Sequence, residues 1–390
     1  MIQLKNKQVK FGKVHLHVNK SADPQHDQFV PKGNKYVDHD KMLETLAHAI
    51  EADKPVLLIG ETGTGKTSAV RYLAQETGNA FRRLNLNGAT TVDEFVGKIL
   101  IDEKGTYWTD GILVDAMRNG HWLLIDEINA GLPEILFVLQ SLLDDDKYIV
   151  LSDKKDREIV RPHPNFRLFA TCNPSDNYSG TKEMNKALLS RFPIVLEIGF
   201  PTPDKELDVM KSKFKSVNED LASRMIDMAN DLRNGYKEHK MDFCFSTREL
   251  INWYEMQEFT GGDVKLAAKY TILGKCNKTD KEVIEQHVQT RFKAIEKEYD
   301  GDLKVGTVIR AEANIVPYST KDTVPAGSVL RVIKSPWDRG GNIGMTVMMK
   351  LERPGAHDPS KISLPKKPDI VFKLDDLSGR IRIEEATATL

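Results

Sequence analysis

The chain has only three cysteines in 390 residues, Cys172, Cys244 and Cys276, and no CxxC pair. That scarcity excludes a disulfide framework and a cysteine-built zinc site, and it suits a reducing compartment. No apolar run approaches the roughly 20 residues that a bilayer span requires. The opening stretch MIQLKNKQVK lacks the apolar segment of a signal peptide. The expected location is therefore the cytoplasm, with no membrane attachment. A strong charge of either sign is also missing, the formal net charge being −1. Internal repeats and low-complexity tracts are absent.

What is present is an ordinary globular composition, 40% hydrophobic and 29% charged, long enough for two or three domains. The charge is unevenly spread. Residues 1–35 carry seven Lys/Arg against two Asp/Glu, residues 303–390 carry fourteen against ten, and residues 36–302 carry 35 against 45. A central segment of net −10 is a poor match for a phosphate backbone, so nucleic acid is disfavoured as a partner.

Alternating apolar and polar residues up to Val18 predict a strand or short hairpin, and the Asn/Asp/Pro/Gly-rich stretch 19–35 reads as a linker. Residues 1–35 thus form an N-terminal strand and linker segment. From Tyr36 to about residue 200, short apolar runs alternate with helical patterns. The runs are Val56 to Ile59, Phe81 to Leu86, Trp122 to Ile125, Phe166 to Thr171 and Ile194 to Ile198. Such alternation predicts an α/β core built on a parallel sheet covered on both faces. Residues 201–302 read as helical throughout. Residues 303–390 contain five short β-rich runs, predicting a small C-terminal β-rich domain, a barrel or a sandwich.

The run Gly60-Glu61-Thr62-Gly63-Thr64-Gly65-Lys66-Thr67, with Ser68 next, matches GxxxxGK[ST] between a predicted strand and a predicted helix. Glycines let backbone N–H groups turn inward around phosphates, and the helix sets its positive end against them. In that context Lys66 would neutralise β/γ charge of ATP, and the Thr67 hydroxyl would ligate Mg²⁺. Sixty residues later, HWLLIDE delivers Asp126 and Glu127 from a buried strand. Asp126 can then hold the metal directly or through water, and Glu127 can orient or deprotonate an attacking water. The bland alternative for two such acids is a helix N-cap. A third strand ends at Cys172-Asn173-Pro174, where Asn173 can position water against a γ-phosphate or simply form an Asx turn. Cys172 reads as packing. Arg191 in ALLSRF and Arg248 in FSTREL are each a phosphate-reaching guanidinium or a structural ion pair.

The succession GETGTGKT, WLLIDEIN, FRLFATCNP, ALLSRF and FSTREL resembles the AAA+ ATPases of the dynein-related branch, which includes the MoxR, midasin and cobaltochelatase ATPase groups. The resemblance covers about residues 36–300 and is nearest to CobS-like subunits through the stretch Ile159 to Thr171. It implies an α/β P-loop NTPase core over 36–200 and an α-helical lid over 201–302. It also implies Lys66 and Thr67 as Walker A, Asp126 and Glu127 as Walker B, Asn173 as sensor 1, Arg191 as an arginine finger across a subunit boundary, and Arg248 as sensor 2. ATP and Mg²⁺ are the implied ligands and a hexameric ring the implied assembly. The implied work is remodelling of a protein partner, in this branch often one with a von Willebrand A domain. Two narrower alternatives stand beside it: a nucleic-acid motor of a phage or restriction-type system, and an ATP-dependent cobaltochelatase subunit. The 85 or so residues after the lid are a departure from the chelatase subunits it resembles.

Two insertions also suit that branch. Val96 to Asp110 and Lys147 to Arg161 each read as a hairpin. Relatives aim such hairpins at a client in a central pore; the alternative is that both are edge hairpins, with Tyr107 and Trp108 packing on the core. A nucleic-acid motor would need Lys98, Lys104, Lys154 and Lys155 in that pore. His15 and His17 share a strand face but lack a third ligand, so they read as a solvated face. Asp144-Asp145-Asp146 reads as a solvated helix end.

Overall fold

A computed structural model describes residues 7–19, 24–103, 105–154, 156–174, 184–292, 308–311, 314–318, 322–338, 345–354, 369–373 and 381–385. The chain divides into two compact units, residues 1–216 with 246–248, and residues 217–245 with 249–390.

The first unit opens on an antiparallel hairpin, β1 (Gln8–Phe11) and β2 (Val14–His17). Its alternation buries Phe11, Val14 and Leu16 and leaves His15 and His17 exposed. Among the described residues no group of three or more His, Cys, Asp and Glu side chains is placed to hold a metal. The stretch read as a linker carries a four-residue helix, α1 (Pro24–Asp27), and is held by a bond from Asn19 N–H to the Thr77 carbonyl and by buried His26. Then follow α2 (Met42–Glu51), β3 (Val56–Gly60), α3 (Lys66–Glu76), β4 (Phe81–Asn85), α4 (Val92–Phe95), the hairpin β5 (Gly97–Asp102) and β6 (Gly105–Asp110), α5 (Ile112–Asn119) and β7 (Trp122–Asp126). The unit continues through α6 (Pro133–Leu143), the short hairpin β8 (Ile149–Val150) and β9 (Ile159–Val160), β10 (Arg167–Cys172), α7 (Lys186–Leu189), β11 (Ile194–Ile198) and α8 (Pro203–Lys213).

Five strands form one parallel sheet in the order β11-β3-β10-β7-β4. Alternate strand residues feed opposite faces. Leu57, Leu123, Ile125, Leu168 and Ala170 enter one apolar core with α5 and α6, while Val56, Leu58, Trp122, Leu124 and Phe169 enter the other with α2 and α3. Burial on both faces is why these strands read as continuous apolar runs. Parallel pairing also brings the C-terminal ends of β3, β7 and β10 to one edge of the sheet, since Ala170 stands opposite Ile125 and Cys172 opposite Ile59.

Both insertions are hairpins. On β5 and β6, Ile99, Ile101 and Tyr107 are exposed, whereas Trp108 packs on the core and its Nε1–H donates to Asp110 Oδ1 at 2.6 Å. The aromatic pair therefore divides between packing and solvent. On the second hairpin Lys154 pairs with Glu158, which also pairs with Arg118, and these two cations hold the Glu158 carboxyl down at about 2. Lys104 and Lys155 lie outside the described residues.

The second unit holds α9 (Glu219–Lys237), most of α10 (Thr247–Phe259), α11 (Val264–Thr271) and α12 (Lys278–Arg291). Asn218, Asp263 and Asn277 cap three of these helices by accepting a backbone N–H three residues on. Trp253 packs edge-on against Phe245 and Phe292. The same unit contains β12 (Val308–Ala311), β13 (Val329–Asp338), β14 (Met345–Arg353), β15 (Asp369–Lys373) and β16 (Ile381–Glu385). These form a single antiparallel sheet in the order β15-β14-β13-β12-β16 over a core that includes Ile309, Leu330, Val347 and Phe372. Register shifts between β13 and β14 add the local twist that bends such a sheet. Among the described residues the two outer strands do not pair.

Candidate active site

The loop leaving β3 turns into α3 within five residues, and two glycines make that turn. Gly63 has φ +81 and Gly65, the N-cap of α3, has φ +96; left-handed backbone is cheap only without a Cβ. A Cβ on Gly63 would also stand 2.7 Å from Ser246, so the start of α10 lies against this loop and brings exposed Arg248 with it. Thr247, next to it, donates its hydroxyl to buried Glu206 of α8 at 2.7 Å.

Lys66 is buried, and its Nζ donates to the carbonyls of Gly60 at 2.6 Å and Glu61 at 2.9 Å and to Asn173 Oδ1 at 3.2 Å. Burial lowers the pKa of its ammonium from the ordinary lysine value; Asp126 leads the opposing charges. Thr67 places its hydroxyl 3.4 Å from Asp126 Oδ2. Asp126 is buried at the end of β7, and its other oxygen, Oδ1, accepts a short bond from the Thr171 hydroxyl of β10. Thr171 Oγ1 in turn accepts the Glu127 N–H at 3.3 Å. Glu127 has φ 56 and ψ 47 and is exposed. A left-handed glutamate costs about 1–2 kcal/mol.

The edge therefore gathers Lys66, Thr67, Asp126 and Asn173. Arg191 is elsewhere: its Nε–H donates to Asp144 Oδ1 at 2.6 Å and its Nη1 to the Ala187 carbonyl at 2.8 Å. Asp144 is thus the partner of Arg191 rather than a merely solvated helix end. Cys172 is buried beside the site; burial pushes its thiol up to about 11, which leaves it protonated and suits packing. Ser68 is exposed, and its carbonyl accepts from Asn34.

Four contributors are not legible in the motifs. Thr171 bridges β10 to β7. Arg83 of β4 donates to Asp126 Oδ2 from Nε at 2.8 Å and from Nη2. Tyr36 lays its ring 3.3 Å from where a Cβ on Gly65 would stand, and buried His39 donates Nε2–H to the Thr64 carbonyl at 3.3 Å. Tyr36 and His39 precede the loop by 20 to 30 residues in an aperiodic stretch, and Thr171 and Arg83 act through strand register. Replacing Thr171 by Val removes both bonds of its hydroxyl and leaves Glu127 N–H and Asp126 Oδ1 short of a partner. The expected cost is about 1–3 kcal/mol, read as a lower melting temperature together with weaker Mg²⁺-dependent nucleotide binding.

A family model for the AAA domain of the dynein-related subfamily matches residues 55–192, and one for the CbbQ/NirQ/NorQ C-terminal region matches residues 206–292. The aerobic cobaltochelatase subunit CobS of a Sinorhizobium species is 30% identical over 67% of this chain and 84% of its own length. This chain belongs to the dynein-related AAA ATPases. Protein CbbQ of Hydrogenophilus thermoluteolus is 30% identical over 50% of the chain and 72% of its own length. Midasin of Dictyostelium discoideum is 32% identical over 67% of the chain, which spans only 5% of that relative's length. The fold of this AAA ATPase is an α/β P-loop NTPase core followed by further C-terminal structure, of the CobS and CbbQ type.

Proposed function

We propose that this chain hydrolyses ATP in a homo-oligomeric ring, a hexamer by resemblance, and uses the cycle to remodel or activate a protein partner. The observation that carries the proposal is the convergence of Lys66, Thr67, Asp126 and Asn173 on one sheet edge at the N-terminus of α3, with Thr67 Oγ1 3.4 Å from Asp126 Oδ2. A hydroxyl and a buried carboxylate side by side are hard oxygen donors and fit Mg²⁺. When bound, the ion would neutralise charge on the phosphates.

In this reading the backbone of residues 60–65 and the start of α3, with Ser68, receive the phosphates, and Lys66 exchanges its loop carbonyls for β/γ oxygens. Glu127 takes the proton of the attacking water, Asn173 orients that water, and Arg248 adds charge from the start of α10. Arg191 serves the site of the neighbouring subunit. Tyr36 and His39, packed on the loop, wall the place where the nucleoside would lie. The exposed Ile99, Ile101 and Tyr107 suit an apolar polypeptide client better than a polyanion. The pairing of Lys154 with Glu158 weakens the nucleic-acid alternative.

The test is ATP turnover by the purified chain, with its mass in solution followed by light scattering with and without nucleotide. Hydrolysis confined to an oligomer, and insensitive to added DNA or RNA, is the expected result. A several-fold stimulation by nucleic acid that falls with salt would replace the client reading. Hydrolysis at an equal rate per chain by a monomer would overturn the ring.

A further inference from the structure

Asp126 Oδ2, the oxygen that faces Thr67, already has three donors: the Thr67 hydroxyl at 3.4 Å, Arg83 Nε at 2.8 Å and Arg83 Nη2. A carboxylate oxygen has two lone pairs, so it cannot keep this set and also coordinate a metal ion directly. For direct coordination, one of the two cationic partners of that carboxylate edge, Arg83 or a divalent cation, has to give way.

The surroundings decide which side moves. Asp126 is fixed: it ends β7, a strand paired on both sides, its side chain is 10% exposed, and Thr171 holds its other oxygen. Arg83 lies on β4, an edge strand of the sheet, and its side chain is 53% exposed. It can therefore swing into water without leaving a buried donor unsatisfied. Its neighbour Arg82 points to the opposite face of the same strand, where it pairs with Asp115 at 2.6 Å and lies over the Phe29 ring. Strand alternation aims only Arg83 at the carboxylate.

We propose that Arg83 competes with Mg²⁺ for Asp126, so that metal loading of this site is a displacement rather than a simple addition. The inference rests on the nucleotide-site reading above and extends it to a residue outside the P-loop and both strand-end motifs. The guanidinium supplies the opposite charge that a buried carboxylate needs as a partner. The same contact raises the Mg²⁺ concentration needed for tight nucleotide binding.

The experiment uses the full chain carrying Glu127→Gln, so that nucleotide is not consumed, and a fluorescent methylanthraniloyl ATP. Its dissociation constant is measured in EDTA and across a Mg²⁺ series. Adding Arg83→Ala should lower the half-saturating Mg²⁺ by about three- to tenfold, the range expected for losing a half-exposed charged hydrogen bond, while the affinity in EDTA stays unchanged. Arg83→Lys, a point charge without the two-pronged fork, should fall between the two and carries the test if the alanine variant folds poorly. An unchanged or higher Mg²⁺ requirement overturns the proposal. So does a loss of affinity in EDTA, which would make Arg83 a phosphate ligand. If the chain with Arg83 intact shows no Mg²⁺ dependence at all, the fault lies with the nucleotide-site reading itself, and the two failures are thereby separated.

Discussion

Glu127→Gln is expected to retain ATP and to hydrolyse it about 10²–10⁴-fold more slowly, the usual contribution of a positioned general base. Glutamine has the same shape and leaves the backbone contacts of residue 127 in place, including the bond from its N–H to Thr171 Oγ1. It only removes the oxygen that can accept a proton. Retained binding with lost turnover is the signature of a group used in the reaction and not in the ground state. Equilibrium binding of labelled ATP beside a phosphate-release assay reads both quantities. Glu127→Gly separates chemistry from backbone strain. With φ 56 at this position, glycine should relieve about 1–2 kcal/mol and raise the melting temperature while turnover stays lost. If glutamine leaves turnover intact, the base lies elsewhere and Glu127 is only a turn residue.

The parts of this site that the sequence made legible are those encoded locally. A strand, a glycine turn and a helix N-terminus follow one another within a dozen residues, so GETGTGKT could be placed on a sheet edge from its own context. Asp126 and Asn173 could be placed there too, because each follows an apolar run of strand length. The contacts that tune these residues depend on which strands are neighbours. Thr171 reaches Asp126 only because β10 lies beside β7, and Arg83 reaches it only because β4 lies beside β7 on the other side. A pattern of apolar runs predicts a parallel sheet without predicting that order. The acidic run after α6 shows the same limit. Acids at a helix C-terminus oppose its dipole, and Asp144 becomes intelligible only once Arg191, 47 residues on, is seen to be its partner. The C-terminal strands were legible one by one from their alternation, whereas their arrangement as one sheet, β16 beside β12, was not.

Arg191→Ala should lower kcat by about 10³–10⁵-fold, the worth of an arginine finger, without weakening ATP binding by the subunit that carries the change. The geometry gives the reason. Within its own chain the guanidinium is engaged by Asp144 and by the Ala187 carbonyl, and among the described residues no hydrogen bond or ion pair joins it to Lys66, Thr67, Asp126 or Asn173. Held there, the guanidinium lies away from its own P-loop residues, and it would reach a neighbour's if α6 and α7 face the next subunit and Asp144 releases it. Mixing decides the point. Lys66→Ala subunits lose their own nucleotide site but keep the finger, and Arg191→Ala subunits have the converse defect. Each preparation alone should be nearly inactive, and rings assembled from both should regain turnover, because an intact finger then meets an intact site at some boundaries. Recovery on mixing requires action in trans. If mixed rings stay inactive while the unmodified chain hydrolyses ATP, Arg191 acts within its own subunit or only supports structure. A drop in melting temperature matching that of Asp144→Ala would then identify it as one half of a surface ion pair, whose loss is worth about 1 kcal/mol or less.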